Sequence, residues 1–159
     1  MILLSFAIFC LYIAFVVYRY DVPDSISDTY YLLEATKKGF GWVFTVWCWA
    51  VIFTMLPAWL DMSTENTQFL AFLACAGLGF VGTAPQFKED LSGKVHYTAA
   101  AICAAAAILW TALSGGWDWQ IVFFIPCAYF AYKKPKTWLF WAEMCAFVST
   151  FLTLIFKSL

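Results

Sequence analysis

Glu143 stands in the run Trp-Leu-Phe-Trp-Ala-Glu-Met-Cys-Ala (138–146), a stretch with no other charge. A charged group deep in a bilayer costs about 2.5–3.5 kcal/mol on insertion scales, so such residues face a bundle interior and mark ligand or proton sites. Ala146, Thr150, Thr153 and Lys157 follow Glu143 at helical spacing. At 100° per residue they fall within an arc of roughly 80°, which gives one helix a stripe of polar and small residues. The single histidine, His96, has Ala100, Cys103 and Ala107 along its own helical face. Glu143 and His96, with Ser27, Asp28 or Asp90 nearby, would make a polar pocket. Histidine titrates near neutral pH, so the pocket could pass protons. The plainer alternatives are that Glu143 bonds helix to helix, that His96 meets water at an interface, and that Thr150 and Thr153 bond back to their own helix.

Other chemistries lack their residues. Catalytic zinc typically needs three protein ligands rich in histidine, and one histidine cannot supply them. No H-E-x-x-H, G-x-S-x-G or phosphate-cradling glycine loop occurs. Cys10, Cys48, Cys75, Cys103, Cys127 and Cys145 form no C-x-x-C, and free cysteine packs as a small apolar residue. No metal or cofactor is expected, and no nucleophile with a partner is recognisable.

The elements that must position these residues follow from composition. Of 159 residues, 64% are hydrophobic and 12% charged, with mean hydropathy +0.80. Soluble domains are about half apolar and a quarter charged. Disordered chains are apolar-poor, and nucleic-acid binders carry a basic face that a net charge of −1 does not favour. The expected fold is all-α, a single domain built as a bundle of six transmembrane helices. The spans are expected at about 1–18, 40–60, 67–87, 96–114, 117–132 and 138–156, by the rule of about 20 apolar residues per crossing.

Basic residues set the expected orientation. Arg19, Lys37 and Lys38 precede the second span, Lys88 and Lys94 the fourth, and Lys133, Lys134 and Lys136 the sixth. The alternate loops hold none, and Lys157 alone falls on the other side. Positive residues stay cytoplasmic, so the N-terminus and C-terminus are both expected outside. The first span lacks a basic leader and a small-residue cleavage site, and is expected to remain uncleaved. Trp42, Trp138 and Trp141 would form an inner aromatic belt, and Trp59, Trp110, Trp117 and Trp119 an outer one; Trp47 and Trp49 read as packing residues. Gly77, Gly79 and Gly82 in span three, and the alanines from 99 to 107 in span four, predict close packing between those helices. Pro57, Pro85 and Pro126 can kink or end theirs.

The first cytoplasmic loop, residues 21–39, is the longest. Ser25 or Ser27 would cap a short helix, Asp28 would sit in its first turn, Glu34 and Lys38 would pair, and Gly39 would end it. Tyr30, Tyr31, Leu32 and Leu33 would lay it along the inner headgroups. The stretches Ser-Ile-Ser-Asp-Thr-Tyr-Tyr (25–31), residues 64–78, Ala-Pro-Gln-Phe-Lys (84–88) and Gly-Lys-Val-His-Tyr-Thr-Ala-Ala-Ala (93–101) resemble small uncharacterised multipass membrane proteins of gut bacteria and their mobile elements. The resemblance implies a bacterial cytoplasmic (inner) membrane location and transfers no site residue. The expected function is a cytoplasm-facing polar pocket that binds or conducts a small polar species or proton. The alternatives are a metal-independent enzyme acting on lipid at the inner leaflet, or a structural or interaction protein. Expected partners are membrane lipids and a small polar ligand, with an oligomer possible and no nucleic acid.

Overall fold

A computed structural model describes residues 1–86 and 89–159, and side chains outside 86–93. Long apolar runs can satisfy their own backbone only as helix, and among the described residues there is no strand. The helices are α1 (Ile2–Tyr20), α2 (Thr29–Thr36), α3 (Trp42–Asp61), α4 (Gln68–Thr83), α5 (Glu89–Leu113), α6 (Trp117–Lys133) and α7 (Trp138–Lys157), with short 3-10 turns at Ala84–Gln86 and Pro135–Thr137.

Four segments are long and apolar enough to cross a membrane: α1, α3, Lys94–Leu113 within α5, and Pro135–Lys157, which contains α7. The other two expected spans, α4 and α6, fall short of that measure. α4 has 16 residues and stops at Thr83, because Pro85 lacks the N–H that would continue the ladder. α6 has 17 residues, and Asp118, Gln120 and Pro126 dilute its apolar character. α5 starts at Glu89, earlier than the expected span, because hydropathy marks the apolar length while the helix runs on into a polar first stretch.

The three basic connections meet at one end of the bundle. Lys134 Nζ lies 3.5 Å from Asp21 Oδ2. The Phe140 N–H donates to the Asp24 carbonyl at 3.1 Å. His96, near the start of α5, reaches Ser27. In packing order α1, α3, α4, α5 and α7 form a closed ring, since α7 returns to touch α1. α6 lies outside that ring against α7 and α5, and buries no residue. The outer surface is strongly apolar: Leu11 is 72%, Phe53 67% and Phe124 65% exposed, as suits a lipid-facing surface.

The small residues act as expected. A Cβ on Gly77 would lie 2.8 Å from the Ala99 carbonyl oxygen, and one on Gly82 would lie 2.8 Å from Cys48 Cβ. Bare backbone at these two points lets α4 press against α5 and α3. α2 buries Thr29 and Leu33 in the bundle while Tyr31 faces out. Glu34, expected to pair with Lys38, instead binds backbone. Its carboxylate accepts the Gly39 N–H at 2.7 Å and the Gly41 N–H at 3.0 Å, where Gly39 turns the chain at φ +83°.

Two predictions follow from this packing and this turn. Gly77→Ala should destabilise the protein by about 1–3 kcal/mol through overpacking, read as a lower Tm in detergent. Gly79→Ala, whose Cβ would meet the Trp49 ring at 3.4 Å and Ile52 Cδ1 at 3.6 Å, both ordinary contacts, should stay within about 1 kcal/mol of wild type. The Gly39 and Gly41 N–H bonds hold the Glu34 carboxyl below its ordinary value. That stabilisation is present above the unfolded-state pKa and is lost as pH falls through the lower folded-state value. Hydrogen exchange at Gly39 and Gly41 should therefore lose protection in Glu34→Ala at neutral pH.

Candidate functional site

The segment from Asp24 to Thr29 folds back into the end of the bundle, where Ser25, Ile26, Ser27 and Thr29 are all buried. Irregular backbone at such depth must find partners for its polar groups. The Thr29 hydroxyl donates to the Ile26 carbonyl at 2.7 Å and accepts from the Tyr12 hydroxyl at 2.6 Å. Tyr12 is in turn stacked on Trp47 with ring centroids 4.4 Å apart. The Ile26 N–H donates to Glu143 Oε2 at 2.6 Å. The lone acidic residue of α7 thus clamps a loop amide, and no bond joins Glu143 directly to His96 among the described residues.

His96 bonds to the next loop residue. Its Nε2 lies 2.9 Å from Ser27 Oγ. In the tautomer with the ring proton on Nδ1, Nε2 is an acceptor and the Ser27 hydroxyl donates to it. Ser25 Oγ lies 3.1 Å from Ser27 Oγ and accepts the Asp28 N–H at 3.0 Å, so in that tautomer the Ser25 hydroxyl donates to Ser27.

A cavity of about 70 Å³ opens from this end into the bundle. Ser27, Ile26 and Glu143 line its polar end; Met55, Trp59, Cys75, Leu78, Ala104 and Ala107 contribute to the remaining walls, which are almost wholly apolar. Trp47 and Trp59 also line it, and their buried ring N–H groups have no acceptor among the described residues. Such unmet donors cost roughly 1–3 kcal/mol each.

The other expected site residues fall in different places. Thr150 lines the cavity, but its hydroxyl pairs with that of Thr111 at 3.1 Å across α5 and α7. Thr153 donates to the Ser149 carbonyl of its own helix at 2.8 Å. Asp28 is half-buried, and burial followed by the nearby Asp24 carboxylate holds its carboxyl above the ordinary value. The side chains of Asp90, Glu89 and Gln86 lie outside the described residues. Neither serine caps α2, whose N-cap is Asp28 with no side-chain cap bond: Ser25 accepts the Asp28 N–H and Ser27 is engaged with His96. Sequence reasoning missed the Ile26 amide as a site group, because any residue type can present a backbone N–H there. All six cysteines are free, and no group of three potential metal ligands occurs among the described residues.

No protein-family model, curated protein or solved structure matches this chain.

The clamp makes a specific prediction. Glu143→Leu leaves the Ile26 N–H buried and unpaired, which should cost about 1–3 kcal/mol and speed proteolysis within residues 21–41. Glu143→Gln keeps an acceptor oxygen and should retain most of the stability. Tm and limited proteolysis, measured side by side in detergent, check both.

Proposed function

We propose that this is an integral protein of the bacterial cytoplasmic membrane that holds one small amphiphile in its central cavity. The polar group of the ligand sits at Ser27, His96 and Glu143, at the cytoplasmic end, and its apolar tail runs between α3, α4, α5 and α7. The observation that carries this reading is the chemical asymmetry of the cavity: polar groups gather at one end, and nearly everything beyond is hydrocarbon or aromatic. Sites for small molecules have this composition, with mostly apolar walls and a few placed polar groups that fix orientation.

Size narrows the ligand. At roughly 10–15 Å³ per water-sized group, the cavity accommodates about five to seven such groups, which matches a short or medium acyl chain. Proton conduction is less well supported, because Thr150 and Thr153 spend their hydroxyls on Thr111 and Ser149 and offer no continuing polar path.

Trp47 and Trp59 in the walls provide a direct test. Titration of nanodisc-embedded protein with bromine-labelled octanoic acid should quench tryptophan fluorescence saturably at one ligand per chain. Ala104→Phe, which fills the cavity, should remove the saturable component without lowering Tm. Non-saturable quenching in wild type, together with proton flux in liposomes that Glu143→Gln abolishes, would overturn this reading in favour of conduction.

A further inference from the structure

We propose that Ser27 and His96 form an acyl-transfer dyad, nucleophile and general base, that cleaves carboxylic esters whose short or medium acyl chain lies in the cavity. The inference rests on the amphiphile-binding reading and extends it from holding a ligand to reacting with one.

Two features carry it. The nucleophile and base are within bonding reach, with Ser27 Oγ 2.9 Å from His96 Nε2, inside the window that general-base activation needs. Ser27 also forms part of the cavity wall, at the end where an ester carbonyl would rest once its acyl chain occupied the apolar part. Structural serine–histidine bonds are common, but this one adds an adjoining acyl-sized space.

The reaction balances with water as the only co-reactant. Ser27 Oγ attacks the ester carbonyl carbon while its proton passes to His96 Nε2. The tetrahedral adduct collapses, the bond from carbon to the alcohol oxygen breaks, and the imidazolium returns that proton to the departing alcohol. Water then attacks the acyl-serine and gives a proton to His96. The Ser27 oxygen leaves carrying that proton, and a free carboxylic acid is released. Ser25, 3.1 Å away, donates to the Ser27 oxygen and fixes its rotamer. Glu143 acts only through the backbone as a positioning residue, holding Ile26 and with it the neighbouring Ser27.

The full chain in nanodiscs is to be treated with an octyl fluorophosphonate and, separately, with p-nitrophenyl esters of increasing chain length. The expected result is one covalent adduct per chain, mapped to Ser27 by peptide mass spectrometry. Hydrolysis should be fastest for hexanoyl and octanoyl esters and at least tenfold slower for palmitoyl. Ser27→Ala should abolish adduct and turnover yet keep saturable quenching by bromine-labelled octanoic acid, which shows an intact fold and cavity. His96→Asn should lower kcat by about 10²–10⁴-fold and remove the ionisation of the base from the pH profile. An adduct on any residue other than Ser27, or hydrolysis unchanged in Ser27→Ala, overturns the dyad. So does saturable quenching with neither adduct nor turnover, and that outcome leaves the binding reading standing. Absence of quenching, adduct and turnover together overturns both.

Discussion

Backbone that is not helical has no internal partner for its N–H and C=O groups, and inside an apolar bundle water is not there to supply one. Residues 24–29 are under that constraint, and the arrangement at the polar end of the molecule follows from meeting it. Glu143 takes one amide, Thr29 takes the carbonyl of the same residue, and Tyr12 fixes Thr29. The Phe140 amide at the start of α7 takes the Asp24 carbonyl. Contacts from α1 and α7 therefore close around one short loop. Its burial carries Ser27 into the cavity wall, to within reach of α5.

The two halves of the molecule solve different problems. Around the ring cohesion rests on close packing, with bare backbone at Gly77 and Gly82 and aromatic contacts such as Phe9 on Phe147 with centroids 5.0 Å apart. Side-chain bonds between helices add to it: Ser5 to the Val51 carbonyl, Thr45 to the Gly82 carbonyl, and Thr111 with Thr150. At the loop end polar groups dominate instead. The space left between these regimes is the cavity, and the unmet Trp47 and Trp59 donors beside it make that region the least settled part of the core.

Much of this was legible in the sequence, in proportion to how local each signal was. Helical periodicity put Glu143, Ala146, Thr150 and Thr153 on one inward face, and Ala146, Thr150 and Thr153 are indeed buried. Glycine and alanine runs correctly paired α4 with α5. The charge pattern placed three connections together, and contacts between Asp21 and Lys134, Asp24 and Phe140, and Ser27 and His96 join them. Partner identity was not legible. The Ile26–Glu143 bond joins residues 117 apart and the His96–Ser27 bond residues 69 apart, and one partner of the first is a backbone amide that any residue could present. Helix ends erred where a proline or a polar stretch, rather than hydropathy, decided them, as at Thr83 and Glu89.

Were α4 to cross a membrane, its shortness would have a consequence for the lipid around it. Sixteen residues at 1.5 Å each reach about 24 Å, against a hydrocarbon thickness of about 30 Å. Hydrophobic mismatch of this size is relieved by local thinning of the bilayer. α4 ends on the same side of the bundle as His96, which lies near the start of α5, so a leaflet dimple at that end would bring headgroups and water down beside the imidazole. The buried loop would then be shallow when measured from the membrane surface.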